Sequence, residues 1–144
     1  MTLLDAQEFD AEKARKKKRR IILIVVVMLV LLSLGWWFRY WPQEHIVGKF
    51  FDALQKQDFN TAYGIWMHDP EWKQHPAEHS KYPFNEFYRD WGPGGEWGLV
   101  NNFKIDGSDN PGSGVVVVVT VNQRAEKARL WVEKSDKTLT FSPY

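Results

Sequence analysis

Three hydrophobic periodicities divide the chain. From Ile21 to Phe38 eighteen residues pass without a charge, and thirteen of the first fourteen are aliphatic or Met. At about 1.5 Å per residue this run covers about 27 Å as a helix, and extension to Trp41 brings it close to a hydrocarbon core of about 30 Å. From Pro42 the pattern becomes helical and amphipathic. Ile46, Phe50 and Leu54 recur every four residues beside Val47 and Phe51, with Pro42 suited to a first turn. Asp58 is a cap residue for a second helix through Ala62, Ile65 and Trp66. Phe84, Phe87, Tyr88 and Trp91 mark one face of a third, ended by Gly92-Pro93. Asp69-Pro70-Glu71 predicts only a brief turn before Pro76.

Thereafter the period falls to two. Trp97, Leu99, Asn101, Phe103 and Ile105 predict a first strand, Asp106–Gly114 a loop, and Val115–Val119 a central strand covered on both faces. Ala128, Leu130 and Val132 alternate with polar neighbours in a half-exposed third strand, and Ser135-Asp136 turns into a fourth at Thr138–Phe141. Helices followed by an antiparallel sheet of about four strands is an α+β order. The expected organisation is a basic tail at 1–20, a transmembrane helix at 21–41 and one domain at 42–144.

Charge orients this scheme. Lys13, Arg15, Lys16, Lys17, Lys18, Arg19 and Arg20, set against Asp5, Glu8, Asp10 and Glu12, give the tail a net +3, while residues 40–144 carry a net −3. The cation excess on the N-terminal flank, against Arg39 alone beyond the span, predicts a cytoplasmic tail. The domain then lies on the far side of an inner or plasma membrane, periplasmic or extracellular. Trp36, Trp37, Tyr40 and Trp41 suit a headgroup boundary, and Arg39 can snorkel from it. The basic block also suits anionic lipid headgroups. An acidic domain argues against nucleic acid as its partner. Ser33-Leu34-Gly35 offers small residues for signal-peptide cleavage, but the long charged flank and the continuation through Trp36-Trp37 favour an uncleaved anchor. The absence of cysteine excludes disulfides, thiolate metal sites and cysteine catalysis.

No catalytic motif stands out, and no cofactor, metal or catalytic residue is expected. His75 and His79 have i, i+4 spacing, but Pro76 lies between them, and with His68 they read as solvated loop residues. Glu86 and Asp90 read as surface carboxylates. Gly92-Pro-Gly-Gly95 lacks the Lys-Ser/Thr and the helix that phosphate binding needs, and reads as a tight turn with positive φ at Gly94 or Gly95. Trp66, Trp72, Trp91, Trp97 and Trp131, with eight Phe and Tyr residues of the domain, exceed what a core of this size usually requires. Most are expected in the core, Trp91 and Trp97 anchoring the third helix to the sheet, and a subset of the five are candidate interface or pocket aromatics.

The run Val47-Gly-Lys-Phe-Phe-Asp-Ala-Leu-Gln-Lys-Gln-Asp-Phe-Asn-Thr-Ala-Tyr63 resembles the opening helix pair of the NTF2-like (cystatin-like α+β cone) superfamily. Asp90-Trp-Gly-Pro-Gly-Gly-Glu-Trp-Gly98 and the C-terminal hairpin resemble segments of its uncharacterised bacterial members with a single membrane span. The resemblance implies helices packed on a curved sheet, and a bitopic interaction module serving as accessory or assembly subunit among other membrane-protein subunits. Its architecture is similar to the inner-membrane NTF2-like scaffold of type IV secretion systems. The other expectation is a tethered small-ligand-binding domain or enzyme with an aromatic-lined cone.

Overall fold

The computed structural model describes residues 10–144 and separates into two units, one ending at Arg39 and one spanning Tyr40–Tyr144. Residues 1–9 of the expected tail, with Asp5 and Glu8, lie outside the described residues.

The first unit is one helix, α1 (Ala11–Trp37). Asp10 caps it, its Oδ1 accepting the N–H groups of Glu12 and Lys13, each at 3.2 Å. The seven cations occupy its first turns, followed directly by the apolar run, and none of its residues is buried. Within the run the only hydroxyl, on Ser33, donates back to Leu29 O at 2.8 Å, which satisfies it inside the helix. The helix is long and apolar enough to cross a membrane. It ends at Trp37, where the Arg39 guanidinium lies 3.9 Å from the Trp36 ring and donates to Trp36 O. The predicted span continued to Trp41. In the structure Trp41 starts the next helix and stacks on His45 at 4.9 Å, a residue of the second unit.

The second unit is α+β: α2 (Trp41–Gln55), α3 (Phe59–Trp66), a 3-10 turn at Trp72–Gln74, α4 (Phe84–Trp91), then β1 (Phe103–Asp109), β2 (Gly114–Val121), β3 (Lys127–Glu133) and β4 (Leu139–Phe141). Pro42 lies in the first turn of α2, whose inward face is Val47, Phe50, Phe51 and Leu54. The helix closes with Asp58 N–H on Ala53 O and Gln57 N–H on Leu54 O, Gln57 taking the left-handed conformation usual for glycine there. Asp58 then caps α3 through both oxygens, accepting Thr61 N–H at 3.1 Å and Thr61 Oγ1–H at 2.7 Å. α3 ends by the same device: Asp69 N–H bonds Gly64 O, His68 N–H bonds Ile65 O, and His68 is left-handed. Two such stops in close succession fold α2 and α3 back on each other.

The sheet is an antiparallel meander in the order β1-β2-β3-β4. Its two edges, β1 and β4, do not pair, so the sheet is open where the resemblance implied a curved cone. Val115, Val117, Val119 and Val121 are fully buried, with α2 packed on β1 and β2 and α3 on β4. On the other face Trp131 lies over Gly114, and its indole fills the space a Cβ would take.

Two strand boundaries differ from expectation. Trp97 to Asn102 alternates like a strand but is irregular. Beyond Val121 the chain enters left-handed positions at Asn122 and Gln123, so no partner strand continues alongside. β1 instead begins at Phe103 and runs through Asp109, into the predicted loop. Its register shifts between Ile105 and Gly107, leaving Asp106 bulged. The polar residues that read as loop are engaged: Asp106 meets Thr120 and Lys127 across the sheet, and Ser108 Oγ donates to Glu44 Oε1 at 2.7 Å.

Candidate functional site

The chemistry gathers where α3 stops. The left-handed turn at His68 sets Asp69 at the start of an irregular segment. There its Oδ1 accepts Glu71 N–H at 3.0 Å, an arrangement that Pro70 accommodates because it needs no N–H. The 3-10 turn carries the chain back, and two further turns place His79 near its start. His75 Nδ1 then lies 2.9 Å and His79 Nε2 2.8 Å from one atom, Asp69 Oδ2. A carboxylate oxygen only accepts, so both ring nitrogens carry hydrogens there. These contacts hold the Asp69 carboxyl below its usual range, His79 contributing most and His75 next, and the Asp69 contact raises His75.

The histidines were expected to be solvated loop residues. Instead the His79 and Asp69 side chains are 13% and 17% exposed, and only His75, at 40%, is substantially open. The i, i+4 spacing was the wrong signal, since the pair is joined by turns and by a shared acceptor outside any helix. Asp69, which reads in sequence as a cap before proline and, with Glu71 and Glu78, as a residue that only a specific fold could bring to the histidines, is the hub. Glu78 completes the cluster: Asp69, Glu78 and His79 each offer one ligand atom, and these lie within 4.8 Å of one another. The arrangement can hold a divalent cation or share a proton among carboxylate and imidazoles.

A second polar pairing lies behind it. Tyr63 O–H donates to Tyr82 O at 2.7 Å, and Tyr82 O–H donates to Asp90 Oδ2 at 2.8 Å. Burial, with the Asp90 carboxylate second, pushes the Tyr82 phenol above its ordinary range. Asp90, expected on the surface, is therefore partly covered and bonded, and its contact with Arg89 is a looser 3.6 Å.

The candidate aromatics divide by place. Trp66 and Trp91 are core, forming with Phe50, Phe51, Tyr63 and Phe87 a continuous set of ring contacts. Trp91 stacks on Phe141 with the planes 3° apart, yet its Nε1–H has no partner among the described residues. Trp97 is buried beneath the Arg124 guanidinium. Trp72, half-buried, stacks on Phe84 and donates to Asn60 O at 3.1 Å. It lines an open cleft of about 550 Å³ with Ile46, Lys49, Ile65 and His68. A cleft of about 290 Å³ is bounded by Trp66, Glu78, His79, Tyr82, Leu139 and Phe141. Trp131 is on the opposite face of the sheet, its Nε1–H donated to Glu133 Oε2.

In the glycine-rich turn, Gly95 approaches Asp90 O too closely for any side chain, and the positive φ expected at Gly94 or Gly95 falls at Gly98, with φ 62°. The cation block and Trp36, Trp37 and Trp41 are all exposed. Comparison with known proteins finds no family model, curated protein or solved structure that matches this chain.

Proposed function

We propose that this chain is a bitopic membrane-anchored interaction module, with α1 as its span and the Tyr40–Tyr144 unit serving as an accessory or assembly subunit of a bacterial membrane complex. The observation that carries the reading is the wholly unburied apolar run of α1. Thirteen aliphatic or Met side chains at about −0.3 to −0.6 kcal/mol each favour insertion by about 4–8 kcal/mol. Water as the permanent surround of such a helix loses that comparison. The cation block at Lys13–Arg20 then keeps the tail cytoplasmic, in reach of anionic headgroups, and the acidic domain lies across the membrane.

Within the domain, the filled aromatic core favours interaction over catalysis. Phe50, Phe51, Tyr63 and Phe87, all essentially without exposure, take the volume a ligand-bearing cone needs. Helices preceding a four-strand meander support reading the domain as a reduced relative of the NTF2-like superfamily. A tethered ligand-binding domain or enzyme is the second reading, favoured specifically by the Glu78–His79 wall of the 290 Å³ cleft.

The anchor reading is tested by alkaline carbonate extraction of cells making the full chain with a C-terminal tag. Retention in the membrane pellet at the intact size, 16.9 kDa plus the tag, is expected. Release into the supernatant, or a tagged product shortened by removal of the first 35 or so residues, contradicts an uncleaved anchor.

A further inference from the structure

We propose that Asp69, Glu78 and His79 form a binding site for a first-row divalent metal ion, of which zinc is the representative, with His75 orienting Asp69 beside it. The inference stands independently of the membrane anchor.

The donor set is mixed, which separates it from a patch of surface acids: an imidazole and two carboxylates offer ligand atoms within 4.8 Å of one another. Imidazole selects zinc and its first-row neighbours over magnesium and calcium, which prefer oxygen alone. Three protein ligands with a fourth position left to water is a recurrent zinc arrangement.

The geometry needs little change. Two ligands on a tetrahedral zinc, each at about 2.0–2.1 Å, stand about 3.3 Å apart. His79 Nε2 and Asp69 Oδ2 are 2.8 Å apart, so they separate by about 0.5 Å to admit the ion. His79 gives up the hydrogen on Nε2, to its own Nδ1 or to solvent, and the freed lone pair already faces the carboxylate.

Support around the ligands is present. Asp69 Oδ1 is fixed by Glu71 N–H, Oδ2 receives His75 Nδ1–H, and the Tyr63 ring stands edge-on to the His79 ring. The exposed Glu78 is the arm that closes, and the cleft it shares with His79 is the route of entry. The bound ion would join the end of α3 to the turn at residues 78–79 and brace a segment without regular structure beyond one 3-10 turn.

The test titrates the full-length protein in detergent micelles with zinc chloride by calorimetry, and with cobalt(II) as a spectroscopic substitute. One ion per chain is expected, with visible d–d bands for cobalt and at least a tenfold preference over magnesium and calcium. His75→Gln should weaken binding about 10–100-fold, and Glu78→Gln and His79→Gln at least as much. His45→Gln, on α2, should change nothing. Glu78 is exposed, so Glu78→Gln keeps the proposal testable even where His79→Gln disturbs folding; unchanged circular dichroism confirms that this variant is folded. Absence of zinc binding at millimolar metal overturns the proposal. So does binding that survives both Glu78→Gln and His79→Gln, or magnesium binding as tight as zinc.

Discussion

The Asn122 side chain stands in for a missing strand beside Asn101. Its Oδ1 accepts the backbone N–H of Asn101 at 2.7 Å and of Asn102 at 3.3 Å, while its Nδ2 donates to Leu99 O at 2.9 Å. The backbone before β1, which has no neighbouring strand, is thus paired mainly by this amide, helped by the Asn122 N–H on Asn102 O and by Gln55 Nε2 on Asn101 O. Asn122 has φ 51°, so a glycine substitution separates conformation from bonding. Asn122→Gly keeps the left-handed turn and removes the amide. It should lower stability by about 1–3 kcal/mol in thermal melts. A melting temperature equal to the parent's would mean that the turn alone positions this segment.

Trp91 separates ring packing from polar satisfaction. Its ring contacts Phe50, Phe51, Trp66 and Phe141, whereas its buried Nε1–H is unpartnered among the described residues. Trp91→Ala should cost about 3–5 kcal/mol. Trp91→Phe, which retains an aromatic ring and removes the orphan donor, should cost less than half as much. Denaturant unfolding of both variants checks this, and equal losses would show that the N–H matters.

Tyr82 ties the irregular segment to α4 through Asp90. Tyr82→Phe leaves the ring in place and should destabilise by about 1.5–3 kcal/mol, the range for a hydrogen bond to a charged group. Because the phenol is raised above its ordinary range, absorbance titration should show Tyr82 still protonated where exposed tyrosines have ionised. Normal titration of every tyrosine would contradict the burial described.

The Asp58 cap predicts an acid limb of stability. Bonds from the Thr61 hydroxyl and then the Thr61 N–H hold its carboxyl below the usual 3.8. A lowered folded-state pKa contributes stability that is present above 3.8 and lost as pH falls through the folded value. Asp58→Asn retains a side-chain acceptor without the charge, so its melting temperature should fall less steeply over that interval. Asp58→Ala should cost about 0.5–2 kcal/mol at neutral pH. Parallel acid limbs for parent and Asp58→Asn would remove Asp58 as their source.

What could be read in sequence was what depends on neighbours along the chain. Pro42, Asp58 and the Phe84-Phe87-Trp91 face placed three helices because caps and periodicity are local. The valine run placed β2 because continuous β-branching suits a covered central strand. The β1 boundary was hidden because alternation from Trp97 to Asn101 requires a partner strand, and β2 ends at Val121. Likewise Asp106–Asp109 reads as loop until Thr120, Lys127 and Glu44 are seen to satisfy it. The Asp69 cluster was least legible. It depends on a left-handed His68 and on successive turns, and none of these leaves a periodic trace. The proline between His75 and His79 excluded a helical pair correctly, but said nothing of a shared acceptor ten residues upstream of His79.

The central claim, that α1 crosses the membrane with the basic tail inside and the domain outside, is tested most directly by single-cysteine labelling. The chain has no cysteine of its own. Ala14→Cys in the tail and Lys137→Cys in the domain can each be challenged in intact cells with a membrane-impermeant maleimide. The account predicts that position 137 is labelled at once and position 14 only after the membrane is permeabilised. Labelling of position 14 with protection of position 137, or equal labelling of both in intact cells, would contradict it.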